Sequence, residues 1–286
     1  MIPDNFGALE KGFSSTNAKV FVLPVGYEGT VTYGKGASKG PKAMIEASKN
    51  MELYDEELDS EPYLAGIHTL NDLSVKKDNV EKAIEKVENS VKNWINKNKF
   101  PVVLGGEHSI SLGAVRAFKE KFNDLSVLQI DAHSDLRDSY DKSKFNHACV
   151  MRRIVELCPI VQVGIRSQDI SEVEFIKEKK LKNIFYAKDI YDNDRWFDKA
   201  IGGLSSNVYL TIDLDGLDPS IMPSTGTPEP GGLSWYGLLK FLRKVFSEKN
   251  IVGFDVVELA PNKNNVAPDF MAAKLVYKII GYKFKK

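Results

Sequence analysis

The chain has 286 residues, of which 43% are hydrophobic and 27% charged, so it falls among ordinary globular proteins that bury a large core. Its 39 Lys and Arg residues equal its 39 Asp and Glu residues, which leaves no net field for nucleic acid or an anionic membrane and favours a small-molecule substrate. The two cysteines, Cys149 and Cys158, lack the spacing of a disulfide framework or a zinc knuckle and indicate a reducing compartment. No run reaches the roughly 18 apolar residues of a membrane span, and the first residues lack a signal-peptide pattern. We therefore expect a cytoplasmic protein.

Short β-branched runs alternate with helical patterns along the whole chain. Strands are predicted over residues 20–23, 63–67, 102–104, 127–130, 160–163, 183–186, 208–212 and 251–257. Helices are predicted over residues 41–49, 80–95, 109–121, 147–157, 171–179, 194–201, 234–247 and 267–280. This alternation predicts an α/β fold with a parallel sheet that helices cover on both faces. No repeat or linker divides the chain, so residues 1–286 are predicted to form a single domain.

Acidic and histidine residues follow two of the predicted strands. The strand at 127–130 leads into Asp-Ala-His-Ser-Asp at 131–135, and the strand at 208–212 leads into Asp-Leu-Asp at 213–215. Alternation along an extended chain turns every second side chain to one side, so both clusters gather at the carboxyl edge of the sheet. The candidate ligands are Asp131, His133, Asp135, Asp213 and Asp215. Unpaired charges at an apolar rim are costly, and one or more cations would compensate them.

A third predicted strand, at 102–104, ends in Gly-Gly-Glu-His-Ser at 105–109. On its own His108 would be assigned to a helix start or the core, but its place at the same edge makes it a sixth candidate ligand. Carboxylates with one or two imidazoles and no thiolate suit Mn²⁺ better than zinc or calcium. Six ligands can hold two ions, and a two-metal site activates a bridging water, so hydrolysis is the natural reaction class. The alternative, that each Asp caps a helix or opens a turn, requires two such clusters to coincide by chance.

Two further residues are candidates for catalysis, each with a plain alternative. His147 follows a polar segment at 138–146, and its spacing fits a helix start with no role as well as it fits catalysis. Glu258 emerges from the strand at 251–257. It could form a surface salt bridge, or it could grip a planar cation through paired hydrogen bonds. The residues alone leave both choices open.

Three segments resemble the signature motifs of the ureohydrolases, the arginase and agmatinase family of binuclear manganese enzymes. They lie at 105–109, 131–135 and 213–219, in the family's order, and supporting stretches lie at 40–43, 225–233 and 255–261. The match extends over nearly all of the chain. The fold that this resemblance implies is a three-layer α/β/α sandwich on a mainly parallel, eight-stranded sheet. Members of the family usually assemble as homo-oligomers, either trimers or hexamers.

The resemblance also implies a role for each candidate residue. One Mn²⁺ would be held by His108, Asp131, Asp135 and Asp213, and the other by Asp131, His133, Asp213 and Asp215. A metal-bridging hydroxide would attack the guanidinium carbon of the substrate. Glu258 would orient the guanidinium group, His147 would shuttle a proton, and Thr227 would line the guanidinium pocket.

The loop around His147 resembles the agmatinase branch more than the arginases. Arginases typically place Ser-Gly-Asn-Leu-His-Gly there to hold the α-carboxylate and α-amine of the substrate, whereas this chain has Ser-Lys-Phe-Asn-His-Ala at 143–148. Phe145 would leave a substrate carboxylate without its hydrogen-bond partner, and agmatine is arginine without that carboxylate. The predicted reaction is therefore hydrolysis of agmatine to putrescine and urea, a step of polyamine biosynthesis.

Two other interpretations remain open at this point. Guanidinobutyrate, guanidinopropionate, formiminoglutamate or, less favourably, arginine would need a partner for a carboxylate tail, and Arg137, Lys144 and Arg152 are candidates. An inactive metal-binding homologue with an assembly role would be favoured by a missing ligand or a missing His147. The sequence contains every ligand and both catalytic candidates.

Overall fold

A sheet of eight parallel strands runs through the centre of the computed structural model, which describes residues 3–285. The strands are β1 Val20–Val25, β2 Ile67–Thr69, β3 Phe100–Gly105, β4 Leu125–Ile130, β5 Ile160–Ile165, β6 Ile184–Tyr186, β7 Asn207–Asp213 and β8 Asn250–Val257. They lie in the order β2-β1-β3-β8-β7-β4-β5-β6, and every neighbouring pair is parallel. The predicted eight-stranded sheet is confirmed. Residues 1, 2 and 286 of the single-domain prediction lie outside the described residues.

Helices cover both faces of the sheet. They are α1 Lys11–Ser14, α2 Gly40–Ser48, α3 Val80–Asn96, α4 Ser111–Lys121, α5 Val150–Val155, α6 Ile170–Lys179, α7 Ala187–Ile190, α8 Phe197–Gly202, α9 Trp235–Glu248 and α10 Ala267–Phe284. One buried cluster joins α2, α8, α9 and α10 to the sheet, and a second joins α3, α4, α5 and α6 to it. The fold is therefore the expected three-layer α/β/α sandwich. None of the helices in residues 3–285 has the length and apolar character needed to cross a membrane.

Side chains of the strands alternate between these two layers. In β4, Leu128 and Ile130 belong to the first cluster, whereas Leu125 and Val127 belong to the second. Because both faces of the sheet are covered, most strand residues are apolar and buried. The buried polar residues that interrupt this pattern include Gln129, Gln162, Thr211 and Asp255.

Some element boundaries differ from the sequence prediction. β2 begins at Ile67, because Pro62 starts a 3-10 turn over Pro62–Ala65 and Gly66 follows with a φ of 77°. The helix predicted over 147–157 is a 3-10 turn, His147–Cys149, followed by α5. α1 and α7, of four residues each, escape sequence-based prediction because one turn is too short to show a helical period.

The centre of the sheet places the predicted motifs together. Strands β3, β8, β7 and β4 are neighbours, and since they are parallel their carboxyl ends meet at one edge. The segments 105–109, 131–135 and 213–219 begin at three of these ends, and Glu258 follows the fourth. This edge is where the functional site is expected.

Candidate metal centre and active site

A cavity of about 320 Å³ opens at this edge of the sheet. Eight of the nine residues predicted for the site line it: His108, His133, Asp135, His147, Asp213, Asp215, Thr227 and Glu258. The ninth, Asp131, is fully buried and lies against both His108 and His133. The structure therefore brings all nine residues together.

The first group of potential ligands surrounds His108, which opens the turn after β3. Its Nδ1 lies 3.1 Å from Asp131 Oδ2, 3.2 Å from Asp135 Oδ2 and 3.3 Å from Asp213 Oδ2. All four side chains are buried. One atom each from His108, Asp131 and Asp213 lies within 4.8 Å of the other two, which is close enough to share one cation.

The second group lies around His133. Its Nδ1 is 3.0 Å from Asp215 Oδ2 and 3.7 Å from Asp131 Oδ1. Asp131 thus belongs to both groups, with Oδ2 directed to His108 and Oδ1 to His133. A carboxylate that faces two groups in this way can bridge two cations.

The pKa values of the cluster are shifted because several carboxylates are buried close together. Burial, together with the neighbouring Asp131, raises the pKa of Asp135 to about 7. Burial alone would lower the pKa of His133, but Asp131 and Asp215 outweigh it and raise that pKa to about 12. Burial is likewise outweighed at His108, whose pKa the carboxylates raise well above its ordinary value. A cluster of this kind takes up either protons or metal ions.

The hydrogen bonds of His108 show that a metal ion fits. Thr211 Oγ1 on β7 donates to Asp255 Oδ1 at 2.6 Å, so the same hydroxyl accepts from His108 Nε2 at 2.9 Å. In the neutral form of the ring, His108 presents the lone pair of Nδ1 to three carboxylates, and this buried atom has no hydrogen-bond partner among the described residues. A lone pair among carboxylates is repulsive unless a cation lies between them. A histidine whose second nitrogen is held in this way is typical of metal ligands.

Side-chain and backbone amides hold both oxygens of Asp131. Gln129 Nε2, on β4, donates to Asp131 Oδ2 at 2.6 Å, and the backbone N–H of His133 donates to Oδ1 at 2.6 Å. Gln162, on β5, donates to Gln129 and to the carbonyl of Ser134. One oxygen of Asp131 is therefore held from inside the sheet and the other by the loop that follows β4.

Two carboxylates of the site are attached to strained backbone. Asp135 has a φ of 52° and Glu258 a φ of 66°, in the left-handed region that residues other than glycine rarely adopt. Glu258 is held there on both sides, since its N–H donates to the Gly106 carbonyl and its Oε1 accepts from the His108 N–H at 2.7 Å. Gly106 has to be glycine, because a Cβ at this position would overlap the Tyr27 carbonyl. Strain that the surroundings maintain is frequent at functional sites.

The wall of the cavity holds His147 but not Phe145. Burial, together with His108 and His133, lowers the pKa of His147 to about 4, so its ring is neutral near pH 7. Phe145 packs instead against the second core cluster, and the guanidinium group of Arg116 lies over its ring. The structure therefore corrects the interpretation that residue 145 faces the substrate.

Residues 18–281 match the arginase family. The chain belongs to this family. It is 42% identical to the N(1)-aminopropylagmatine ureohydrolase of a Synechocystis species over 98% of this chain and 94% of that protein. It is 35% identical to the agmatinase of Pyrococcus horikoshii over 93% of this chain and 92% of that protein. The crystal structure of the agmatine ureohydrolase of Thermoplasma volcanium matches it with a TM-score of 0.86 and 35% identity, covering 94% of this chain and 90% of that one. The resemblance inferred from the motifs is confirmed.

Some residues that support this arginase-family site escape the sequence prediction. Gln129 and Thr211 each lie two positions before a candidate ligand, Asp131 and Asp213 respectively, and therefore on the same side of the strand. A polar residue inside an apolar strand was the available signal. Arg166 donates from Nη2 to the carbonyls of Asp215 at 2.6 Å and Glu229 at 2.7 Å. It ties a ligand loop to the wall of the cavity.

Proposed function

We propose that this arginase-family chain hydrolyses the guanidinium group of agmatine, or of agmatine extended at its amine end, to urea and the corresponding amine. Agmatine itself would give putrescine. The observation that carries this proposal is the pair of ligand groups that share Asp131, at a cavity that Glu258 and His147 also line. Such a site combines a place for cations with a carboxylate for a planar substrate cation and a neutral base.

We assign two Mn²⁺ ions to the two groups. His108, Asp131, Asp135 and Asp213 would hold one, and Asp131, His133, Asp213 and Asp215 the other. Carboxylate oxygens outnumber imidazole nitrogens in both sets, which suits Mn²⁺, and the free lone pair of His108 Nδ1 supports the fit. When bound, the ions supply a water molecule with a lowered pKa and an orientation suited to attack on the guanidinium carbon.

Glu258 binds the guanidinium group of the substrate. Burial and the neighbouring Glu107 raise the pKa of Glu258 well above its ordinary value, and a cationic substrate favours its charged form. The His108 N–H holds Oε1 at 2.7 Å, so the carboxylate is oriented before the substrate arrives. A planar fork of N–H donors matches such a carboxylate, and Thr227 lines the same pocket.

His147 moves the proton that hydrolysis releases. Its ring is neutral near pH 7, so it can accept the proton that the attacking water loses. It then donates this proton to the amine nitrogen as the C–N bond breaks. The second hydrogen of the same water molecule also goes to this nitrogen, so urea and the ammonium form of the amine leave and the neutral ring is restored.

The wall beyond the guanidinium pocket favours a cationic tail over a carboxylate. Tyr33, Tyr140 and Glu229 line it, and aromatic faces and carboxylates attract ammonium groups. Arg137 also lines the cavity, but its Nη1 is 3.4 Å from Asp169 Oδ2 and its guanidinium group lies over the ring of Tyr140. A carboxylate tail would meet a cation that is already engaged.

An extended substrate is the second candidate. N(1)-aminopropylagmatine, for which the Synechocystis relative is named, carries an aminopropyl group on the amine of agmatine and thus one more positive charge. The side chain of Glu229 is 37% exposed and lines the cavity, so it is accessible to such a tail. This carboxylate favours the longer substrate.

Release of urea by the Mn²⁺-loaded protein tests the proposal. Agmatine, N(1)-aminopropylagmatine, arginine, guanidinobutyrate and guanidinopropionate would be compared, with formamide release from formiminoglutamate measured alongside. We expect kcat/KM for one of the two agmatine-type substrates to exceed that of every carboxylate-bearing compound by about a hundredfold or more, which corresponds to about 2.7 kcal/mol of transition-state binding. A preference for a carboxylate tail would contradict the assignment of the wall. Inactivity on all six compounds with metal bound would favour an inactive homologue.

We further propose that the protein is a single-domain, cytoplasmic homo-oligomer, either a trimer or a hexamer, with no nucleic-acid or membrane partner. The balance of 39 basic and 39 acidic residues supports the last point. Light scattering on the purified protein would give its assembly state, and a monomer would contradict this proposal.

A further inference from the structure

His147 is held by a residue far from it in sequence. The hydroxyl oxygen of Thr30 lies 3.1 Å from His147 Nδ1 and also 3.1 Å from the backbone nitrogen of His147. Thr30 belongs to the loop after β1, whereas His147 opens the 3-10 turn before α5. One hydroxyl therefore contacts both the ring and the backbone of the proposed proton carrier.

Thr30 is in turn held by Glu107. The Thr30 hydroxyl donates to Glu107 Oε1 at 2.8 Å, and the Thr30 N–H donates to Oε2 at 2.7 Å. The Ser109 hydroxyl donates to Oε1 at 2.5 Å. Three donors surround this carboxylate, which is buried in the turn between β3 and α4.

The direction of these bonds determines where His147 carries its proton. A hydroxyl has one hydrogen and two lone pairs. The hydrogen of Thr30 is used toward Glu107, and one lone pair accepts the backbone N–H of His147. With Glu107 ionised, as its surrounding donors favour, the remaining lone pair can only accept, which makes Nδ1 the donor. The neutral ring has a single proton, and Nε2 is then left with a lone pair.

We propose that Thr30, held by Glu107, is a positioning residue that keeps His147 in the Nδ1–H tautomer. Nε2 is thereby the nitrogen that accepts a proton from the cavity and returns it to the leaving amine. The transfer of a proton through Nε2 rests on the proposed function, whereas the assignment of the Nδ1–H tautomer does not. In catalytic triads a carboxylate accepts a hydrogen bond from the catalytic histidine and fixes its tautomer. Glu107 would do the same for His147 through the hydroxyl of Thr30.

Nitrogen NMR tests the tautomer directly. The chain has four histidines, so selective ¹⁵N labelling gives few signals, and His147→Asn identifies the pair that belongs to residue 147. In protein with excess Mg²⁺, which is diamagnetic, we expect a protonated-type shift for His147 Nδ1 and an unprotonated-type shift for Nε2. Thr30→Val should move His147 toward a mixture of tautomers, and Thr30→Ser should keep the original one. The Nε2–H form in the wild type, or no change in Thr30→Val, would overturn the inference.

Kinetics separate positioning from folding. We expect Thr30→Val to lower kcat for the preferred agmatine-type substrate about 10- to 100-fold with KM within about twofold, and Thr30→Ser to restore most of it. Thr69→Val is the matched control. Thr69 lies on β2, and its Oγ1 also accepts a backbone N–H, that of Phe6. It should lower the thermal midpoint comparably and leave kcat unchanged. Equal losses of kcat in both variants would assign Thr30 a structural role only. Absence of any ureohydrolase activity in the wild type would contradict the proposed function and leave the NMR result standing.

Discussion

The cavity has a floor and a wall that are built in different ways. The floor consists of the candidate metal ligands at the ends of β3, β4 and β7, which are mostly buried and contact polar residues inside the sheet. The wall consists of loops, and two of its side chains, Tyr33 and Glu229, are 79% and 37% exposed. A floor fixed by the sheet can set the reaction, whereas an exposed wall can vary and select the tail of the substrate. The candidate metal ligands and the side chains proposed to meet the tail of the substrate therefore lie in separate parts of the chain.

The strongest test of the floor removes Asp131, the candidate ligand that both groups share. Asp131→Asn should lower kcat/KM for the preferred substrate at least about a thousandfold, because bound metal stabilises the transition state by several kcal/mol. Elemental analysis should show a loss of bound Mn²⁺. Asp218→Asn is the control, since Asp218 lies in another of the three motifs, at 213–219, and its carboxylate accepts from the N–H groups of Ser220, Gly231 and Gly232. Wild-type activity and metal content in Asp131→Asn would contradict the assignment of the floor.

Metal binding should also appear in stability. Mn²⁺ at about 100 times its Kd should raise the free energy of unfolding by about 2.7 kcal/mol over the chelator-treated protein, since the ion binds the folded state. For a chain of this size the thermal midpoint should rise by about 5 °C or more. Differential scanning calorimetry with and without chelator measures this shift. It should shrink in Asp131→Asn, and an equal shift in both proteins would place the bound ions outside the floor.

A smaller effect is expected from Thr211, a residue inside the sheet whose hydroxyl holds the candidate ligand His108. Thr211→Val removes the hydroxyl that accepts from His108 Nε2 and donates to Asp255. We expect the affinity for Mn²⁺ to fall about 10- to 100-fold, which competition with a chelating dye would measure. Thr211→Ser keeps the hydroxyl and should stay near the wild type. Unchanged affinity in Thr211→Val would mean that the ligands alone position the floor.

The same division explains what the sequence could predict. Asp131 and Asp213 were identifiable because each follows an apolar strand, and strand ends in a parallel sheet share one edge. Gln129, Thr211 and Asp255 were equally visible as polar residues within apolar strands, but their partners lie on other strands and depend on the strand order. The position of Phe145 was not predictable, because no periodicity fixes the path of a loop. Motif spacing therefore gives the floor, whereas the path of the loop that carries Phe145 requires coordinates.

The smallest expected effect tests the wall alone. Glu229→Gln removes a partly exposed charge, and such a charge contributes about 0.2–1 kcal/mol to binding of a neighbouring cation. KM for N(1)-aminopropylagmatine should rise about two- to fivefold, and KM for agmatine should rise less, with kcat and metal content unchanged. Glu178→Gln on α6, an exposed carboxylate outside the cavity lining, is the control. Because Glu229 Oε1 also lies 4.0 Å from His133 Nε2, the outcome has a second meaning. An equal loss of kcat for both substrates, with loss of metal, would show that Glu229 supports the metal ligands through His133. Glu229 would then belong to the floor as well as to the wall.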